Sequence, residues 1–159
     1  MTDADATPVK LHVSWDDLDR LVADLAEAVG SADAYDILLA VTRGGLVPAG
    51  MLAYRLGIRE ILVAAVEYYD DEGATAEEVL FHHFPEAALL RGRRILVVDE
   101  VWETGATMAA VVARVRAAGG TPTIAVLHYK PGRSLVSERP DAWAATTEDW
   151  VVYPYKAGR

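Results

Sequence analysis

The chain has 159 residues, with 15 Lys and Arg against 24 Asp and Glu, a formal net charge of -9, 52% hydrophobic residues and no cysteine. That length suits one domain around one core, and the composition is ordinary for a globular protein, so disorder, collagen-like repeats and disulfide scaffolds are excluded. The acidic balance argues against nucleic acid as a partner, because that needs clustered cations to displace counterions. The lack of thiols rules out disulfides, thiolate metal sites and cysteine nucleophiles.

The opening residues are acidic, with 1–8 expected to be flexible, and no apolar run reaches the roughly 18 residues of a membrane span. A soluble, cytoplasmic protein with no membrane partner is expected. From Ser14 to Val29, Leu18, Leu21, Val22, Leu25 and Val29 share one helical face, with Ser14 and Asp17 at capping-box spacing and Gly30 as a stop. The continuous apolar run at 37–41 predicts a buried strand, as parallel strands are when helices flank them. Leu46 to Leu56 predicts a helix ended by Gly57, with Pro48 tolerated in its first turn. Further strands are predicted over 61–66, 93–99 and 123–128. A helix bearing Met108, Val111, Val112 and Val115 on one face precedes the pair Gly119 and Gly120.

Strands alternating with helices imply right-handed crossovers and an open, mainly parallel α/β sheet with helices on both faces. Ligands bind such sheets at the carboxyl ends of the strands, so the residues after Val41, Val66, Val98 and His128 are where chemistry is expected. Residues 70–90 are too long for a plain connection, and form either a mobile lid or a small strand-bearing excursion around 79–81. The aromatic-rich end from Pro140 is expected to pack more than to recognise. His82 and His83, adjacent on a strand, would point to opposite faces and are left as structural residues.

The strongest constellation spans 95–108, where an apolar strand delivers Asp99 and Glu100 to its end and Thr104, Gly105, Ala106 and Thr107 open the next helix. Exposed backbone N–H groups, hydroxyls and the positive helix end suit one phosphate, and the paired carboxylates suit ribose hydroxyls or a hard cation such as magnesium. Thr42, Arg43, Gly44 and Gly45 follow the first buried strand, and glycine permits close approach while a guanidinium forks onto a di-anion. No GxGxxG and no GxxxxGK[ST] occurs.

The 95–108 segment resembles the phosphoribosyl pyrophosphate-binding motif of the type I phosphoribosyltransferases, and the resemblance runs from about Asp36 to Tyr155. It implies that Asp99 and Glu100 contact the ribose, directly or through Mg²⁺, and that Thr104 to Thr107 hold the 5′-phosphate. Glu103 falls where purine members carry an aspartate base, longer here by one methylene. The order Arg43-Gly44-Gly45-Leu46-Val47-Pro48 is similar to the pyrophosphate loop of xanthine-guanine members, which implies that Thr42, Arg43 and Gly44 hold the leaving group. Lys130 matches the lysine that donates to purine O6. Trp150 matches the aromatic that stacks on the base, and the Val151 and Val152 backbone meets its 2-position edge. Lys156 stands where several relatives carry an acid. By resemblance, residues 70–90 are the flexible hood, the partners are phosphoribosyl pyrophosphate and a 6-oxopurine, and the assembly is a homodimer or homotetramer. The alternative is a non-catalytic, regulatory binder of the same ligands.

Overall fold

A computed structural model describes residues 8–69 and 78–156. The elements are β1 (Lys10–His12), α1 (Trp15–Val29), β2 (Ile37–Thr42), α2 (Leu46–Leu56), β3 (Ile61–Tyr69), β4 (Glu78–His83), α3 (Ala87–Leu90), β5 (Arg94–Trp102), α4 (Ala106–Ala117), β6 (Thr121–Tyr129), β7 (Ala142–Thr146) and β8 (Trp150–Val152). Six strands form one sheet in the order β4-β3-β2-β5-β6-β7, parallel throughout except for β4, while β1 and β8 pair separately. No helix of the described residues is long and apolar enough to cross a membrane.

Local chemistry places the helices where the sequence predicts them. Ser14 caps α1 by accepting from the Asp17 N–H, and the Asp17 carboxylate accepts from the Ser14 N–H in return, which satisfies donors the first turn leaves free. Gly57 ends α2 at φ 71°, a left-handed conformation that favours glycine.

Successive residues of the central strands feed opposite faces of the sheet. Leu38, Ala40, Leu96 and Val98 join Leu18, Val22, Leu25 and Leu52 of α1 and α2 in one core. Ile37, Leu39, Ile95 and Val97 join Met108, Val111, Val112 and Val115 of α4 in the other. The unbroken apolar runs follow from this two-sided burial.

From β2 the chain crosses through α2 to β3 on one side. From β5 it crosses through α4, on the other face, to β6 on the other side. Both direction and face reverse, so the two crossovers share one hand, and a crevice opens between the carboxyl ends of β2 and β5.

Three strands lie outside the sequence expectation: β1, β7 and β8. All are short or edge elements, and the expected strands also extend further, to Tyr69, Trp102 and Tyr129. The excursion around 79–81 is β4, an edge strand on β3 that carries both His82 and His83. The beginning of the expected hood, 70–77, and the expected flexible residues 1–7 lie outside the described residues. Leu52 is fully buried between α2 and the sheet. Leu52→Ala should therefore cost ~2–5 kcal/mol in urea unfolding without changing the site's chemistry.

Candidate active site

The crevice collects the predicted residues from neighbouring strand ends. Ala40 of β2 is level with Val98 of β5, so the loop after Thr42 stands beside Asp99 and Glu100. Val101 and Trp102 of β5 are level with His128 and Tyr129 of β6, which brings Lys130 beside the turn at 103–107.

That turn is built around Gly105. Its φ is 84°, and a Cβ there would lie 2.6 Å from the buried Trp102 ring and from Val136, so only glycine fits. Thr104 Oγ1 accepts from the Ala106 N–H at 3.3 Å as α4 begins. Asp99, Thr104, Gly105 and Thr107 line a pocket of about 100 Å³ floored by Trp102. A larger hollow of about 530 Å³ lies at the other end of the strands, around Tyr35, Ile58 and Arg94. Two of its acids are paired, Asp36 with Arg94 and Glu60 with Arg93, and the residues singled out for chemistry are not there.

The loop from Thr42 to Gly45 passes close to β5. A Cβ on Gly45 would overlap the carbonyl oxygens of Val41 and Val98, and one on Gly44 would overlap the Glu100 carboxyl. The Thr42–Arg43 peptide bond is cis. Arg43 is exposed and has no ion-pair partner among the described residues.

Among the described residues, the buried side chains that are charged or carry an imidazole are Glu100, His128 and Lys130, and all three lie here. Lys130 is 2% exposed, and its amine donates to Glu103 Oε1 at 3.4 Å. Arg133 Nη1 donates to the same oxygen at 3.2 Å. The Trp150 ring lies 5.9 Å from the Lys130 amine and is half exposed, open to a flat partner. Trp150 N–H donates to Val9 O, and Val152 O accepts from Val13 N–H. Parallel ladders alternate the direction of backbone groups, so those of Val151 point to the edge away from β1. The backbone edge expected at both valines is therefore open at Val151 alone, because the Val152 carbonyl is spent on β1.

The acid pair is not symmetric either. Asp99 faces the pocket, whereas Glu100 is turned inward, where Tyr155 Oη donates to Oε2 at 2.6 Å and Lys156 Nζ donates to Oε1. The two acids, expected to meet one ligand, thus leave β5 towards different sides, as neighbouring residues of a strand do. Burial pushes the Asp99 carboxyl up to about 7, with the Glu100 charge adding, while the Glu100 N–H and Lys156 oppose. Burial, helped by the Lys130 charge, pulls His128 down to about 4, so it is a neutral hydrogen-bonding group. Sequence reasoning singled out neither Tyr155 nor the bond from Arg133 to Glu103. The one signal was the aromatic-rich end, where Tyr153 is indeed buried.

Residues 9–156 match the model of the phosphoribosyl transferase domain, and the chain belongs to that family. A hypothetical protein from Neisseria gonorrhoeae, crystallised with bound ppGpp, is 32% identical over 97% of this chain and 93% of its own, with a TM-score of 0.82. A purine phosphoribosyltransferase from Pyrococcus horikoshii is 31% identical over 94% of this chain and 95% of its own, with a TM-score of 0.78. A Helicobacter pylori xanthine-guanine-hypoxanthine phosphoribosyltransferase shares the fold at 20% identity, covering 94% of this chain and 95% of its own, with a TM-score of 0.79. The mainly parallel sheet flanked by helices is the fold of these enzymes.

The raised Asp99 carboxyl has a consequence for stability. The native state holds that proton up to about pH 7, whereas the unfolded chain releases it near 3.8. Its contribution is then full below pH 3.8 and lost as pH rises through 7. Asp99→Asn, neutral throughout, should raise Tm over wild type at pH 8, with the gain vanishing by pH 4. Equal shifts at both pH values would exclude the buried charge as the cause.

Proposed function

We propose that the protein transfers the 5-phosphoribosyl group from phosphoribosyl pyrophosphate to N9 of a 6-oxopurine: xanthine, guanine or hypoxanthine. The observation that carries this reading is Lys130. A buried ammonium has three donors and no acceptor, and here its one side-chain partner among the described residues is the long contact to Glu103. A carbonyl at purine C6 would complete it. The half-exposed Trp150 ring beside it supplies a stacking face, and the open Val151 backbone supplies donor and acceptor for the base's far edge.

In this reading the 5′-phosphate sits on the 104–107 turn, where N–H groups, hydroxyls and the positive end of α4 converge. Asp99 orients the ribose, and Arg43 with the Thr42 and Gly44 backbone receives the pyrophosphate. Attack by N9 forms the N9–C1′ bond as the bond from C1′ to the pyrophosphate oxygen breaks, inverting C1′. The base loses its N7 proton to Glu103, and pyrophosphate leaves with the bonding pair. Magnesium suits the oxygen donors present, with the Asp99 carboxylate to hold it, since it is bound through one or two carboxylates plus substrate phosphates. When bound it would neutralise charge on the phosphates.

A second reading is favoured by one observation: the Neisseria relative carries ppGpp. A guanosine polyphosphate offers this site a 6-oxopurine, a ribose and phosphate groups, so the chain could bind such a nucleotide without turning it over, as a sensor. Mixing the protein with Mg²⁺, phosphoribosyl pyrophosphate and each purine in turn, and measuring pyrophosphate release, separates the two. Release with an oxopurine supports transfer. Tight guanosine polyphosphate binding with no release from any base supports the sensor.

Two variants test the assigned roles. Glu103→Gln should lower kcat by roughly 10²- to 10⁴-fold with little change in ligand affinity, as loss of a general base does. Adenine presents an amino group to Lys130, donor against donor, and a site built on a hydrogen bond rejects such analogues strongly. Wild type should therefore use adenine poorly, and Lys130→Ala should narrow the gap between oxopurine and adenine in kcat/KM. Unchanged discrimination would mean that another residue recognises the 6-position.

A further inference from the structure

The last described turn of the chain is tied into the site by a chain of hydrogen bonds. Glu100 is 6% exposed, and each of its carboxylate oxygens has a donor, Tyr155 Oη for Oε2 and Lys156 Nζ for Oε1. Its backbone carbonyl accepts from Tyr153 Oη at 3.0 Å, and that hydroxyl lies 2.7 Å from His128 Nδ1. The Tyr153 and Tyr155 rings stack, nearly parallel, with centroids 5.4 Å apart. Tyr155 Oη is also 3.4 Å from the Gly44 carbonyl oxygen, and the Glu100 carboxyl fills the space a Gly44 side chain would need. The acid, the loop glycine and the turn 154–156 therefore pack as one unit.

A buried carboxylate is stable only with its partners in place, and removing one leaves a charge that must protonate or move to water. Movement to water withdraws the group that walls the loop at Gly44, and protonation weakens the bonds that hold it there. Arg43 and Thr42 are the adjoining residues, so the loop would lose its path at the point where it is meant to hold a di-anion. A displacement of about 1 Å at such a point can cost about a hundredfold in rate.

We propose that Lys156 and Tyr155 are positioning residues that clamp Glu100 against Gly44 and so hold the loop from Thr42 to Gly45 in shape. Glu100 is then a support for the loop. The functional part of this proposal rests on the reading of that loop as the pyrophosphate site.

Hydrogen exchange followed by mass spectrometry tests the clamp without reference to activity, on full-length wild type, Lys156→Met and Lys156→Arg. In Lys156→Met, peptides covering 42–46 should exchange about tenfold faster while those covering β6 and α4 are unchanged, and Lys156→Arg should restore protection. Unchanged exchange at 42–46 overturns the proposal. So does acceleration in every peptide, which a general loss of stability would give. Calorimetry with magnesium pyrophosphate should show about tenfold weaker binding to Lys156→Met. Unchanged binding there overturns the functional part of the proposal. Wild type that binds neither pyrophosphate nor phosphoribosyl pyrophosphate would instead overturn the functional reading, with the exchange result still deciding the clamp.

Discussion

Two-sided burial of β2, β5 and β6 is the constraint on which the site depends. Each residue from Ile37 to Val41 and from Ile95 to Val98 is covered by helices on one face or the other. A charge placed mid-strand there would lose water without gaining partners. Polar chemistry is thereby pushed to the strand ends, and the reversal of crossovers between β2 and β5 determines which ends stand apart. Packing chooses the location, and the short loops that follow Thr42, Trp102 and Tyr129 supply the chemistry.

The charges at this location alternate in sign at close range. Lys156 stands on Glu100, Lys130 and Arg133 stand on Glu103, and Arg43 is left exposed beside them. A chain of net charge -9 would repel a polyphosphate at long range. The cations gathered at one crevice offset that locally, so the global charge argues against duplex nucleic acid without arguing against a phosphorylated small molecule. Burial of Lys130 and of Glu100 strengthens their pairs relative to water and makes them costly to leave half-made.

How much of this was legible in the sequence differed by element. Capping at Ser14, the stop at Gly57 and the unbroken apolar runs of β2 and β5 are local signals, and the structure follows them. The turn at Thr104 to Thr107 was legible as a helix opening, whereas the positive φ of Gly105 is seen only in the structure. The orientation of Glu100 was not legible either, because an acid pair written side by side does not say which member faces the ligand. That depends on Tyr155 and Lys156, more than fifty residues away in the chain. The pairing of β1 with β8 is invisible for the same reason: three-residue strands carry no period, and their register comes from contacts across almost the whole chain. The bond from Arg133 to Glu103 is invisible too, since nothing in a linear sequence places a guanidinium on an acid thirty residues away.

The two partners of Glu100 also explain why the chain's last described turn is ordered against the sheet. The Lys156 ammonium is half exposed but the Glu100 carboxyl is buried, so that pair is costly to leave half-made. Tyr155 satisfies the second oxygen with its hydroxyl, and its ring stacks on Tyr153. The Trp15 ring closes over Tyr155 from the start of α1, with centroids 6.4 Å apart. β8, which leads into this turn, pairs with β1, which leads into α1. The acid at the end of β5 is therefore held by a small module made from both ends of the domain. Trp15 thus reaches Glu100 only by way of Tyr155, whereas Lys156 pairs with it directly.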